Sequence, residues 1–212
     1  MATMSCRCGK VLLQLSTSSP RVSTECCCDS CFDRVQFLED RGGPSVNKDM
    51  PIINMKWDNW VEVVKGRDQL WAYKLAPETH VLNIASKCCH TFLLGRNDDY
   101  DANCLTTNES APLYGKSYQR IPPSSRWWVN QWSQEQRAKL MPLVGIWVNE
   151  QGNLAGDEGW KPVFDKQVAA MNAPITIQNG AGETFEQVLQ STGSIQIVSK
   201  LKHSTTLTPN LG

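Results

Sequence analysis

Cysteine placement constrains this chain more than any other feature. All nine cysteines fall within the first 104 of 212 residues, as Cys6 and Cys8, then Cys26, Cys27, Cys28 and Cys31, then Cys88 and Cys89, with Cys104 alone. An odd number suits a complete disulfide framework poorly. The opening Met-Ala-Thr-Met-Ser carries neither the basic region nor the apolar run of a secretory signal. A cytoplasmic, reducing location is therefore expected, where thiols stay free and clustered cysteines serve metals or catalysis. No stretch approaches the ~18 consecutive apolar residues of a membrane span, so no membrane partner is expected. Basic and acidic residues balance at 21 each, which argues against a nucleic-acid partner held by phosphate neutralisation.

Spacing says which sulfurs can meet. Side chains at i and i+2 of an extended strand share a face. Cys6 and Cys8 can therefore address one metal ion while Arg7 turns away. Cys26 and Cys28 can do the same, which leaves Cys27 on the opposite side as a small buried hydrophobe. Cys31 follows Cys28 at the x-x spacing of a metal knuckle, so Cys26, Cys28 and Cys31 offer three thiolates from six residues of chain. Cys88 and Cys89 are adjacent and can share an ion only if the backbone turns there. The alternatives are a Cys88–His90 pair at i and i+2, or a vicinal disulfide, which a reducing compartment disfavours. Cys104 reads as a free thiol or, less simply, as a fourth ligand.

Around the cysteines the pattern is mainly β. A strand over 10–16 runs out of the first cysteine pair, and a strand over 21–28 enters the second cluster after a Ser/Pro turn. A short helix is expected over 31–39, carrying Phe32, Val35, Phe37 and Leu38 and broken at 41–44. Strands are expected over 61–64, 70–75 and 81–85 with turns between them, and 91–94 is a further candidate. Strands joined by short turns favour an all-β unit over a βαβ fold. The polar stretch 97–125, rich in Asn, Asp, Ser and Pro, reads as a long loop or linker. Beyond it, a helix is expected over 133–140 with Ser133 as N-cap and Gln136 three residues on, another over 182–191, and a strand over 194–201. Trp127, Trp128, Trp132, Trp147 and Trp160 gather in this half, and core packing explains them more simply than a ligand cage. The chain thus divides into a zinc-binding β domain over 1–118 and a Trp-rich, mixed α/β extension over 119–212 that packs on it.

The motifs C-R-C-G-K-V (6–11), C-C-C-D-S-C (26–31) and S-K-C-C-H-T (86–91) resemble a known set. In this order they are similar to C-x-C-G, C-x-C-x-x-C and C-x-x-C-G of the glutathione-dependent formaldehyde-activating enzyme and centromere protein V family. The resemblance covers less than half the chain, from Ser5 to Leu94. It implies an Mss4-like β-tent of packed antiparallel sheets with two zinc sites, one structural and one open. On that resemblance Cys6, Cys8 and Cys89 hold the structural zinc. Ser86 stands where the family has its remaining cysteine, so Cys88 is the substitute ligand, and His90 replaces the usual glycine. Cys26, Cys28 and Cys31 match without departure and would hold the second zinc.

Closed four-ligand zinc sites hold folds together, whereas three protein ligands leave a position for water or substrate. Three thiolates also outweigh the 2+ ion, which makes it a weak Lewis acid suited to a sulfur ligand. With the family resemblance, which implies glutathione adducts, the expected activity is that of a zinc-dependent carbon–sulfur lyase or transferase. Its substrate would be a small thiol or thiol adduct, with glutathione as co-substrate. The catalytic group would be Cys26, Cys28 and Cys31, with Asp29 (or neighbouring Asp33) handling a proton. Arg34 and Lys87 would clamp glutathione carboxylates. The competing reading is a non-catalytic, zinc-stabilised module that binds a protein partner, or a second copy of itself, through its tryptophan-rich half. His80 and His203 have no partner that the sequence identifies.

Overall fold

Short alternating segments pair into two sheets. The computed structural model describes residues 1–99, 101, 103–108, 114–140, 147–149, 161–175 and 180–198. The smaller sheet contains β1 (Thr3–Ser5), β2 (Leu12–Leu15), β5 (Val61–Lys65) and β10 (Tyr114–Ser117), in the order β10-β1-β2-β5. The larger is built on β3 (Val22–Cys26), β4 (Ile52–Asp58), β6 (Leu70–Lys74), β7 (Val81–Ser86), β8 (Phe92–Asn97) and β9 (Cys104–Asn108). These run antiparallel in the order β3-β4-β9-β8-β7-β6. Three strands from the second half extend its edges in parallel: β11 (Ser125–Trp127) and β12 (Trp147–Asn149) beyond β3, and β13 (Gln196–Ile197) beyond β6. The chain is therefore mainly β, with four helices among the described residues: α1 (Asp29–Glu39), α2 (Gln134–Ala138), α3 (Lys161–Asn172) and α4 (Phe185–Ser191). None of them is long and apolar enough to cross a membrane.

The two sheets share one core. Met4, Leu13 and Val61 from the smaller sheet pack with Met55, Trp57, Ile84 and Leu94 from the larger, and Phe185 and Val188 of α4 close the cluster. Helix α1 covers another face of the larger sheet, laying Phe37 and Leu38 against Trp71, Tyr73 and Phe92. It ends at Arg41–Gly43. The Gly43 amide donates to the Leu38 carbonyl at 2.8 Å, and a β-carbon at Gly43 would meet the His90 carbonyl oxygen at 2.5 Å. Only glycine lets the end of α1 approach the β7–β8 turn so closely.

The described residues of the stretch 97–125 do not form one long loop. They include β9, an inner strand between β4 and β8, as well as β10 and the start of β11. Of the polar residues here, Asp101, Thr106 and Thr107 are buried against polar partners. Thr106 and Asp101 receive hydrogen bonds from the Lys56 ammonium at 2.8 and 2.6 Å, and Thr107 receives one from the Trp57 indole at 2.9 Å. Four further elements, β1, β4, β12 and α3, stand where no element was expected. The helix over 133–140 is observed as α2, with Ser133 and Gln136 forming a reciprocal capping box. Phe185–Ser191 is capped in the same way by Thr184 and Gln187. Of the strand expected over 194–201, Gln196–Ile197 is seen, and 199–201 lie outside the described residues.

Candidate metal centres

The fold brings seven of the nine cysteines into two groups and leaves Cys27 and Cys104 apart. All nine are free thiols. Cys6, Cys8, Cys88 and Cys89 form one group and Cys26, Cys28 and Cys31 another, each with its sulfurs within 4.8 Å of one another. Cys27, although adjacent in sequence, is fully buried beside Val129 and Trp132. Cys104 is buried against Val22 and Met171, with its thiol 3.4 Å from the Met171 carbonyl.

The four-cysteine group lies where the sheets meet. Cys6 and Cys8 do not converge by strand alternation, because both follow β1 in its turn to β2, closed by a hydrogen bond from the Gly9 amide to the Cys6 carbonyl at 2.9 Å. Gly9 has φ 72°, the left-handed conformation that ends such a knuckle. Cys88 and Cys89 lie in the β7–β8 turn, and the backbone does turn there: His90 has φ 47°, strained for a residue with a β-carbon. The sulfur separations are 3.6 Å for Cys6–Cys8, 3.7 Å for Cys6–Cys88, 3.3 Å for Cys8–Cys88 and 4.0 Å for Cys88–Cys89. Four sulfurs at about 2.3 Å from a tetrahedral ion lie about 3.8 Å apart, whereas a disulfide needs ~2.05 Å. The donor set therefore fits a metal ion, and Cys88, not His90 or Cys104, completes it. Ser86 is no ligand. Its hydroxyl accepts from the Thr91 amide at 3.0 Å and lies 3.4 Å from the Cys89 sulfur, while the Thr91 hydroxyl lies 3.2 Å from that sulfur. Burial raises the Cys89 thiol, but these hydroxyls and Cys8 outweigh it and bring it down to about 6. Burial foremost, then Cys8 and Cys6, pushes Cys88 up to about 12.

The three-cysteine group is made by one strand-to-helix junction. Cys26 ends β3, Cys28 is the N-cap of α1 with its sulfur accepting from the Cys31 amide at 3.4 Å, and Cys31 lies in the first helical turn. Cys26 and Cys28 approach to 3.1 Å. Around Cys31 the donors converge: the Asn54 amide lies 3.6 Å and the Arg34 guanidinium 3.9 Å from its sulfur. Arg34 also donates to Asn54 at 3.0 Å and lies over the Phe92 ring at 4.4 Å. Contacts from the Cys26 and Cys28 thiols, then Arg34 and Asn54, hold Cys31 well below the usual thiol range. Cys26 goes the other way, raised by its contacts with Cys28 and Cys31 and by burial. The helix N-terminus and the buried cation favour negative sulfur here.

What separates the groups is ligand number and a neighbouring cleft, not exposure, since Cys8 of the four-cysteine group is itself exposed. Cys28 and Cys31 line a cleft of about 620 Å³ together with Asp29, Arg34, Asn54, Lys56, Arg96 and Trp128. Asp29 is exposed on its lining, where its amide donates to the Gln131 side-chain oxygen at 2.7 Å. Lys87 is not part of it. Its ammonium donates to the Asp68 carbonyl at 3.1 Å, on the β7–β8 turn beside the other group, because the knuckle that gathers Cys88 and Cys89 carries Lys87 with it. Trp128, expected in core packing, lines the cleft instead; Asn54, Lys56 and Arg96 carried no signal of their own in the sequence, although Asn54 and Lys56 alternate with Ile53, Met55 and Trp57 along β4. His80 pairs with Asp99 at 2.6 Å, and His203 lies outside the described residues. Of the tryptophans, Trp132 packs on Phe32 at 5.8 Å and Trp127 on Phe164 at 6.3 Å. Trp160 lies outside the described residues, as does the side chain of Trp147.

Fold and site together define a mainly β protein with two cysteine groups able to hold metal ions. The chain matches no family model, no curated protein and no solved structure.

Proposed function

We propose that this chain is a zinc-dependent carbon–sulfur lyase or transferase acting on an adduct of glutathione or another small thiol. The reading includes a β-tent of the formaldehyde-activating and centromere protein V kind, a cytoplasmic location, and zinc in both cysteine groups. The observation that carries it is an asymmetry: one group has four sulfurs, while the other has three and fronts a cleft of about 620 Å³. All-sulfur sites of this spacing suit zinc. Zinc bound by Cys26, Cys28 and Cys31 would supply an open position with affinity for a substrate sulfur.

The remaining work falls to the chain's own residues. Arg34, buried beside Cys31, offsets the excess negative charge of three thiolates. Lys56 and Arg96 also line the cleft, but Lys56 is paired with Asp101 and Arg96 with Glu186, so they make its wall polar without giving it net positive charge. Asp29, exposed on the lining, can exchange a proton with solvent and with the adduct's oxygen. The interaction-module reading draws no support from exposed aromatics: the exposed large hydrophobics among the described residues are Met1, Met50, Val64, Ile195 and Ile197.

The test follows the exchange of a glutathione hemithioacetal with its free thiol and aldehyde by NMR. Wild-type protein should accelerate exchange at least about tenfold, and Cys28→Ser should lose the acceleration. Equal rates for both proteins, or none above buffer from protein holding two zinc ions, would remove the proposal.

A further inference from the structure

A second cavity of about 310 Å³ adjoins the cleft and differs from it in chemistry. Its walls are Val22, Trp127, Phe164, Val168 and Met171, from β3, β11 and α3. The two spaces share Asn54, Lys56 and Trp128. Asn54 is the residue whose amide lies 3.6 Å from the Cys31 sulfur. An atom bonded to a sulfur seated at the three-cysteine group is therefore one side chain away from the apolar space.

The polar groups along this seam are already satisfied within the protein. Asn54 accepts from Arg34 and donates toward Cys31. The Lys56 ammonium is held by Asp101 at 2.6 Å and Thr106 at 2.8 Å. The Gln167 amide, the polar group on the α3 side, donates to Ser124 and Ser125, both at 2.8 Å. A hydrocarbon lying along them would leave no donor stranded, so its burial carries little polar cost. Trp128 is held between the two spaces at φ 62°, a conformation that costs a bulky residue energy and that accompanies ligand clamps more often than plain turns.

Resting on the thiol-adduct reading above, we infer that the second cavity takes the carbon body of the adduct, so that the substrate is a hemithioacetal of a small thiol with an apolar aldehyde. About 310 Å³ is roughly twice the ~150 Å³ that holds a benzene ring, so a hexyl or benzyl group fits inside it and a one-carbon adduct would leave it almost empty. The reaction balances without an oxidant. In the forming direction the thiol sulfur bonds to the carbonyl carbon, the C=O π pair moves to oxygen, and the thiol proton ends on that oxygen. The lyase direction reverses each step and returns thiol and aldehyde.

The experiment uses zinc-loaded full chain and stable S-alkyl stand-ins: S-methyl-, S-butyl- and S-hexylglutathione, with dissociation constants by calorimetry. Affinity should rise by up to about fourfold per added methylene, and Val168→Trp, which fills the cavity from α3, should flatten the series while S-methyl binding and zinc content stay unchanged. Should that variant fail to fold, Phe164→Ala enlarges the same space and should move the optimum to longer chains. A flat wild-type series with measurable S-methyl binding overturns the aldehyde assignment and leaves the thiol reading standing. No binding by any member overturns both. A series that keeps its full slope in Val168→Trp and its optimum in Phe164→Ala overturns the placement.

Discussion

The two cysteine groups lie at opposite ends of α1 and are assembled in opposite ways. The three-cysteine group is local, drawn from the β3–α1 junction. The four-cysteine group joins residues as distant as Cys6 and Cys88, 82 positions apart, and does so where the smaller sheet meets the larger. An ion there closes a long loop and cross-links two sheets, which removes much conformational freedom from the unfolded chain. An ion in the local group cross-links almost nothing. The helix adds an electrical contrast. Its N-terminus, with Arg34, favours the three thiolates, whereas its C-terminal end is negative and is offset by Arg7, whose guanidinium donates to the Gly42 carbonyl at 2.6 Å, and by Arg41. On the proposed reading, a metal that supports the fold and one that supports chemistry would differ in how much chain each ties together.

The sharpest way to break this contrast is a pair of matched substitutions. Cys8→Ser should lose one of two zinc ions and cost about 4 kcal/mol, roughly 10 °C in Tm by calorimetry. Cys28→Ser should also lose one ion yet keep its Tm within about 3 °C. Equal melting losses would mean that both groups are structural. Next in size is Arg34→Met, which keeps the packing over Phe92 but removes the cation near Cys31. It should weaken zinc binding at the three-cysteine group by about 10- to 100-fold in chelator competition, with the other group unaffected.

Acid should separate the groups more gently. Cys88, pushed up to about 12, and Cys26, also raised, carry protons at neutral pH in metal-free protein. Zinc must displace those protons, so affinity falls as pH falls. With three sulfurs instead of four competing against protons, the open group should empty first, by about half a pH unit or more in a chromogenic-chelator titration from pH 8 to 5. The smallest effect is expected of Ser86→Ala, which removes one hydroxyl from beside Cys89 and should cost about 1 kcal/mol, roughly 3 °C.

The local group was readable in the sequence because its geometry is contained within six residues, Cys26 to Cys31. The helix behind it was readable from Phe32, Val35, Phe37 and Leu38. The four-cysteine group was legible as a set but not in its construction. Strand alternation was expected to unite Cys6 with Cys8, and a turn does so instead; Cys88 and Cys89 converge because His90 takes a left-handed conformation that no composition rule anticipates. The inner strand β9 was misread because Thr106 and Thr107 are buried against Lys56 and Trp57, partners 50 residues away that leave no local trace. For the same reason the cleft's Lys56–Asp101 pair, 45 residues apart, was invisible. Lys87 shows the converse error, since nearness in sequence to a cysteine motif put it beside the wrong group.

The strands that the second half adds to the large sheet have a practical consequence. β11 and β12 cover one margin at β3, and β13 covers the other at β6. Arg126 fastens the first of these to Glu25 at 2.6 Å. A fragment cut at residue 118 would bare both margins at once, each presenting unpaired amides and carbonyls to any passing chain. Such a fragment would keep every cysteine yet invite self-association. For producing the metal sites in isolation, the tryptophan-rich half therefore serves as a built-in guard against aggregation and should be retained.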